Sequence, residues 1–591
     1  MYPLGIVGNC QISALIHESG SLEWLCLPRP DSEPIFGRLL DPSGGHFSIS
    51  LCDGGVISSE QSYLENTNIL ITEIEGSRGG KIRITDFCPR FEQYGRMFRP
   101  LMMIRMVEPL EPGTIVQIDC RPIKGWGKEP MNPIRGNSHL RFDWNDDSLR
   151  LTTNMPLTYL GDSTPFQLKE KLYFALTWGT GVEEDLVSVS ERFFLQTRDY
   201  WRTWVKHCSI PVHFQKEVIR SALALKLHCY EDTGAILAAT TTSLPEELNG
   251  TRNWDYRFCW LRDAYFTLSA FHSLGHFEEM EGFLKFLLDI AFEHAASRER
   301  LSPLYTISRG IPLAEQIHSN WQGYQKSQPV RSNNQASEHI QNDVYGEMIL
   351  TLAPIYFDER FQYLRDGQHQ RLLEYLATHA SRAIGQKDAG LWEFRNTMRE
   401  HSFTNLMLWA GFERLDRIQK NGFLPQFKID SAVECKRAEL SLRSAVKDGI
   451  LRSTSEGSNL DSALSHLSLL RFPDRILAEK TLEQIRSKLL LSHDSKTFFY
   501  RYLQEDDFGI PRSAFIACSF WIAQALAQQG EVEDARLMIE RTLESSNFLG
   551  LFSEHFDPAT KQQLGNFPQT YSHVGLINAA FAVSPRWSDV L

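Results

Sequence analysis

The sequence predicts two structural classes in one chain, an N-terminal antiparallel β-sandwich and a C-terminal all-α (α/α)6 barrel. Three observations carry this prediction. The first third alternates polar and apolar residues between Gly- and Pro-rich turns, the pattern of short half-buried strands. From about Val212 onward the apolar residues recur at helical spacing, as at Phe283, Phe286, Leu287 and Ile290. Candidate helices begin near residues 212, 262, 278, 340, 366, 401, 424, 460, 474, 513, 531 and 571, and a dozen helices make the six hairpins such a barrel needs.

Within the first region, Lys81–Thr85 and Leu140–Trp144 alternate as strands do. Gly79-Gly80 and Glu111-Pro112-Gly113 supply turns, and Met102–Val107 with Thr114–Ile118 reads as a hairpin around the second of these. From Ser188 to Cys208 the apolar spacing turns helical, with Phe193, Phe194, Tyr200, Trp201 and Trp204 suited to packing on both halves. The expected division is a β-sandwich domain over 1–187, a linker helix over 188–211 and the barrel domain over 212–591. No fixed-period repeat is present, which excludes an open solenoid.

The chain has 591 residues, 42% of them hydrophobic, so it can bury sizeable cores. A net charge of −12 speaks against nucleic acid as a partner. No run of about 18 apolar residues exists, so no membrane span is expected. The first twenty residues lack the basic and apolar regions of a Sec signal peptide, which predicts a cytoplasmic protein unless a dedicated machine exports it. The ten cysteines are scattered singletons such as Cys10, Cys88, Cys259 and Cys518, with no Cys-x-x-Cys pair, and read as reduced thiols. No nucleotide loop, zinc-protease motif or calcium loop occurs, and the histidines show no metal spacing, so neither cofactor nor metal is implied.

The chemistry concentrates in Leu248–Phe266. Arg252, Trp254, Asp255, Tyr256, Arg257, Trp260, Arg262 and Asp263 stand in one block. Burying that many charges is costly unless each is paired, and a solvated face has no use for the tryptophans. Rings interleaved with Arg and Asp suit a sugar, whose C–H faces stack on rings and whose hydroxyls bond to charged groups. A salt-bridge network in a Trp-rich core is the competing reading. Two more segments place a glutamate in a distinctive setting. Glu393 stands between Trp392 and Phe394 at the end of a Gly-bearing loop, and apolar neighbours would favour the protonated acid. Glu554 lies in Gly550–Pro558, a loop rich in rings and turn residues.

The run Arg252–Ala264 closely resembles the signature of glycoside hydrolase family 15, which includes glucoamylases, glucodextranases and bacterial-type trehalases. The resemblance recurs at Gly390-Leu391-Trp392-Glu393 and Gly550-Leu551-Phe552-Ser553-Glu554, and again at Trp321–Asn333, Gln341–Glu347 and Tyr500–Tyr502. It implies Glu393 as general acid and Glu554 as general base of an inverting hydrolase, whose carboxyls stand roughly 6.5–9.5 Å apart to seat a water. It also implies that Arg262 and Asp263 grip a terminal glucose, with Trp260, Trp321, Tyr324, Arg331, Trp392, Arg395 and Arg501 around the sugar. Trp321 is the expected stacking platform. The implied partner is an oligo- or polysaccharide with a terminal glucose; oligomeric state stays open.

The first functional expectation is therefore a glucoamylase-type exo-hydrolase that releases β-glucose from starch, glycogen or maltooligosaccharides. The alternative is a trehalase. A non-catalytic carbohydrate-binding or regulatory protein is a lesser alternative, and the presence of both glutamates argues against it. The chain departs from the family pattern at Asn9, Glu23, Arg512 and His555, where other residues are usual.

Overall fold

The strands of the first third assemble because their alternating apolar faces can be buried only against a second layer. In the computed structural model, which describes residues 1–52, 54–297, 300–491 and 496–591, they form two antiparallel sheets. The first, of seven strands, starts at Leu4–Gly8 and includes His46–Leu51 and Ile115–Arg121. The second, of eight, includes Leu70–Gly76, Lys81–Phe87, Met102–Pro109 and Leu172–Trp178. Apolar residues of both sheets share one core. A buried ion pair ties the layers: Arg105 Nε lies 2.7 Å from Asp86 Oδ1, and its other nitrogens donate to the carbonyls of Phe47 and Gly20. Every charge there has a partner, which makes the burial tolerable.

One expectation fails in this region. Met102–Pro109 and Ile115–Arg121 do not form a hairpin, because they lie in different sheets. The turn at Glu111–Gly113 carries the chain across the gap between layers. Met102–Pro109 pairs with Lys81–Phe87 and Leu172–Trp178, and Ile115–Arg121 pairs with His46–Leu51.

The helix Leu186–Lys206 is capped by Asp185, whose side chain accepts from the Ser188 amide. It packs on the strand Leu172–Trp178, and its Trp204 ring stacks 4.1 Å from His276 of the helical half. It therefore touches both regions.

In the helical region, the buried helices Leu261–Leu274, Asp343–Leu352 and Ser402–Lys420, the short turns Ser462–Leu469, and the helices Ile516–Gln529 and Thr570–Val583 contact one another in turn, and the last contacts the first. Outside them run Gln215–His228, Glu278–Ser297, Gly367–Ala383, Ser431–Ser444, Arg475–Lys488 and Val532–Thr542. Close approach needs glycine at one crossing: a Cβ on Gly346 would fall 2.3 Å from the Met407 carbonyl. The predicted helix starts agree with these bounds within about three residues, except that expected near 424. There Leu424 adopts a left-handed conformation, and the helix waits for Asp430 to cap the Val433 amide. Among the described residues no helix is long and apolar enough to cross a membrane.

Candidate active site

The inner helices share one sense at one end of the molecule. Trp260 and Arg262 open the helix Leu261–Leu274, Gln341 and Asp343 open the next, Glu393 precedes Ser402–Lys420, Arg501 and Asp506 precede Ile516–Gln529, and Glu554 and Tyr571 flank the start of the last. All of these except Gln341 and Asp343, which hold Arg262, line a single cleft of about 800 Å³, counted with the open solvent at its mouth. Both glutamates singled out in the sequence, Glu393 and Glu554, line it, as do Trp260, Arg262, Asp263, Trp392, Arg395 and Arg501.

Glu393 has φ of 63°, the left-handed region that costs a side-chain-bearing residue roughly 1 kcal/mol. The turn holds it there through the bonds Glu393 N to Gly390 O and Phe394 N to Ala389 O. This twist separates Glu393 from its neighbours in sequence. Trp392 donates to Asp461 Oδ2 at 2.8 Å, and the Phe394 ring stacks on His401. The expected apolar setting is thus corrected: the Glu393 carboxylate meets polar donors. Its Oε1 accepts from Trp260 Nε1 at 2.7 Å, Arg262 at 3.2 Å and Gln341 at 3.2 Å.

Glu554 is buried among charges. Its Oε1 accepts from the Tyr256 hydroxyl at 2.8 Å, while Oε2 has no hydrogen-bond partner. Gly565 packs against it, and a Cβ there would fall 2.8 Å from Oε2. Burial and then the nearby Glu246 carboxylate push the Glu554 pKa well above the usual range, against the pull of Tyr256 and Arg501. Glu246 behaves oppositely. Burial would raise it, but Arg501 and Arg252 hold it ionised, and Trp254 Nε1 donates to it at 2.9 Å. Burial lowers His555 to about 3, so this ring is neutral at ordinary pH. The Tyr256 and Trp260 rings meet edge to face at 5.4 Å, so adjacent turns of one segment hold the two glutamates.

The remaining wall is largely polar. Arg262 donates to Tyr571 Oη at 2.9 Å and Gln341 Oε1 at 2.5 Å, and lies 3.3 Å from Asp343. Burial raises Asp263 to about 7, partly opposed by Arg262 and a bond from Tyr571. Arg501 pairs with Glu246 at 3.0 Å, and Arg395 lies over the Trp254 ring at 4.4 Å while pairing with Glu315 at 3.0 Å. Arg252 joins Asp506 at 2.5 Å, and the Phe508 ring packs on Trp254.

Three expected contacts lie elsewhere. Trp321 is fully buried away from the cleft, with Nε1 donating 2.8 Å to the Trp126 carbonyl of the β-region. A ring so enclosed cannot stack on a sugar, so its role as platform is corrected to an anchor between the regions. Tyr324 packs edge to face on Tyr2, outside the cleft. Arg331 stands behind the wall, bonded at 2.5 Å to the Glu315 that also holds Arg395. Glu347, the last residue of the Gln341–Glu347 run, is fully buried with neither oxygen paired.

The sequence departures divide similarly. Asn9 shapes a turn, with Oδ1 accepting from the amides of Gln11 and Ile12, and Arg512 is an exposed partner of Glu247. Only His555 adjoins the site. Residues without an assigned role in the sequence also line it: Glu246, Arg252, Trp254, Tyr256, His339, Asp506, Asp507, Phe508 and Tyr571. Three of these belong to the conspicuous ring-and-charge block. Glu246 carried no local signal that separates it from the half-buried Glu247.

One ligand atom from each of Glu246, Glu554 and His555 lies within 4.8 Å of the others, a spacing that a cation could use. The same Glu246 oxygen, however, pairs with Arg501, and a cation there would press on that guanidinium. The cluster is therefore assigned to the Glu554 pocket.

Residues 213–581 match the family model described as glycosyl hydrolases family 15, and residues 3–147 match a trehalase-like N-terminal model. The chain belongs to glycosyl hydrolases family 15. As a family 15 glycosidase it acts on glucosides. Its relatives include a protein named trehalase from Thermoplasma volcanium, 30% identical, covering 99% of this chain and 93% of the relative. One named trehalase 1 from Sulfolobus acidocaldarius is 31% identical and covers 98% of each. One named trehalase from Mycolicibacterium smegmatis is 29% identical over 98% of this chain and 90% of its own. Among solved structures, a bacterial glucoamylase complexed with acarbose superposes with a TM-score of 0.69 at 14% identity, covering 98% of this family 15 chain and 94% of its own. That likeness concerns the fold, a sheet-rich region followed by a helical one.

Proposed function

We propose that this family 15 enzyme hydrolyses α,α-trehalose to two molecules of glucose with inversion at the attacked carbon. The observation that carries the chemistry is the pairing of two carboxylates across one cleft, each bonded to a ring donor of the same segment. Glu393 gives its proton to the glycosidic oxygen as the bond from that oxygen to the anomeric carbon breaks. Glu554 takes a proton from the water whose oxygen attacks the same carbon from the opposite face. The water supplies the new hydroxyl, and the two carboxyls exchange protonation states, to be reset through solvent.

The glucose that is attacked lies against Arg262 and Asp263, which donate to and accept from its hydroxyls. In this reading the helical half is an (α/α)6 barrel over 212–591, the sheets are a β-sandwich over 1–187, and 188–211 is the linker. The ring of contacts among the inner helices supports the barrel. Trehalose is favoured over the starch chain ends first expected because the full-length relatives above carry the name trehalase and the N-terminal region matches a trehalase-like model. Glucoamylase-type cleavage of maltooligosaccharides is the second reading, since Arg262 and Asp263 would hold the terminal glucose of either substrate.

Incubation with trehalose, maltose and glycogen in parallel tests the choice. Trehalose is expected to be cleaved fastest, and a preference for glycogen would reverse it. A Glu554→Gln variant that folds normally is expected to lose on the order of 10²–10⁴-fold in turnover. Unchanged turnover would reject Glu554 as the base.

A further inference from the structure

Most polar side chains that line the cleft have partners of their own. Arg252 is taken by Asp506, Arg395 by Glu315 and Gln335, and Asp507 by the backbone amides of Arg395 and Asn396. His339 is different. It lines the cleft, and both Nδ1 and Nε2 are shielded from solvent without a hydrogen-bond partner. Such groups are rare in folded proteins, because a shielded polar atom left unpaired loses its water and gains nothing. Of the other lining residues with an unpaired shielded atom, Glu554 has its place in the reaction and Arg501 still holds Glu246. His339 has neither.

Its position shows which part of a substrate it would meet. The backbone fixes it at the end of the capped turn Gln335–Glu338, where its amide donates to the Ala336 carbonyl. The charged groups that act on the ring are Glu393, Arg395, Glu338 and Asp507. Arg262 and Asp263, which face the attacked glucose, are not among them. Burial, the largest influence, keeps the imidazole neutral, with one nitrogen a donor and the other an acceptor.

We propose that His339 is a specificity-determining residue that hydrogen-bonds a hydroxyl of the leaving sugar, on the Glu393 side of the cleft. This rests on the reading above that Glu393 protonates the glycosidic oxygen, which puts the leaving sugar beside it. A neutral ring able both to donate and to accept matches a sugar hydroxyl. It would discriminate against aglycones that carry none, because they would leave its nitrogens unpaired.

Substrates that differ only in the leaving group test this. Trehalose offers a second glucose, whereas α-glucosyl fluoride offers only fluoride. His339→Phe keeps a ring and removes both nitrogens, His339→Ala serves if the phenyl ring is not accommodated, and His339→Gln restores a donor and an acceptor. The Phe variant is expected to lose kcat/KM on trehalose by on the order of ten- to a hundredfold more than on the fluoride, a span set by one unpaired hydrogen bond. The Gln variant is expected to recover part of that difference. Equal losses on both substrates, no loss on trehalose, or a Gln variant no better than Phe would overturn the proposal. If the wild-type protein cleaves maltose and not trehalose, the trehalose reading falls, and the same ratio measured on maltose still decides the role of His339.

Discussion

At the scale of the residue, the two glutamates are set apart by what surrounds them. As the proposed base, Glu554 must be ionised to accept a proton, yet burial and the Glu246 carboxylate hold its pKa up. Activity is then lost as pH falls through that raised value. The acid limb of kcat/KM is predicted to lie above the ~4.3 of an ordinary glutamate. Glu246→Gln removes the like charge and leaves Arg501 to act on Glu554 alone, so the limb is predicted to move to lower pH. A limb that stays in place in that variant would contradict the assignment. Asp263 gives a second, thermodynamic prediction. Its pKa of about 7 lies above the unfolded value, so ionising it costs stability. The cost is absent below about pH 4, grows toward pH 7 and is complete above it. Asp263→Asn is therefore predicted to raise the thermal midpoint at pH 8, to leave it little changed near pH 4, and to reduce activity. Calorimetry at the two pH values checks this, and an equal shift at both would exclude it.

At the scale of the element, the cleft is built from segments that precede inner helices, and the segment Asp506–Phe508 closes its outer wall. Asp506 accepts from Arg252, from the Tyr502 hydroxyl at 2.5 Å and from the Phe508 amide at 2.8 Å. Asp506→Ala releases all three and frees the Phe508 ring from Trp254. KM is predicted to rise about tenfold, the effect of losing one charge-assisted contact in the wall, with a smaller change in kcat. Steady-state kinetics test it; a fall in kcat alone would place Asp506 nearer the chemistry.

This scale also separates what could be read in the sequence from what could not. Helix positions were legible from the local spacing of apolar residues, helped at some starts by a capping residue such as Asp185 or Asp366. Glu393 and Glu554 were legible because their loops hold unusual local combinations of Gly, rings and acid. The fate of Trp321 was not. Its neighbours suggest a stacking platform, but its indole answers to a carbonyl at Trp126, far away in the chain. The false hairpin after Met102 has the same origin, since strand choice between two sheets depends on partners remote in sequence. Glu246 shows the limit most plainly: it differs from Glu247 only in the direction that the folded chain gives it.

At the scale of the whole molecule, the β-region is part of the site's frame. Tyr2 donates from its hydroxyl to the Gly565 carbonyl at 3.1 Å, beside Glu554, and its amide donates to Gln563 at 2.9 Å. Arg257 of the signature segment reaches back to the Ser32 carbonyl at 2.6 Å while paired with Asp255 at 2.7 Å. The loop with Glu554 and the segment with Arg262 and Asp263 therefore both rest on the first residues of the chain. In the proposed mechanism the two carboxyls, which line one cleft, act from opposite sides of one bound glucose, with a water between Glu554 and the anomeric carbon. The direct test is proton NMR of trehalose at the earliest times of cleavage, before the glucose anomers interconvert. Inversion at one of the two linked carbons predicts equal initial amounts of α- and β-glucose; α-glucose alone would mean retention and would contradict the account.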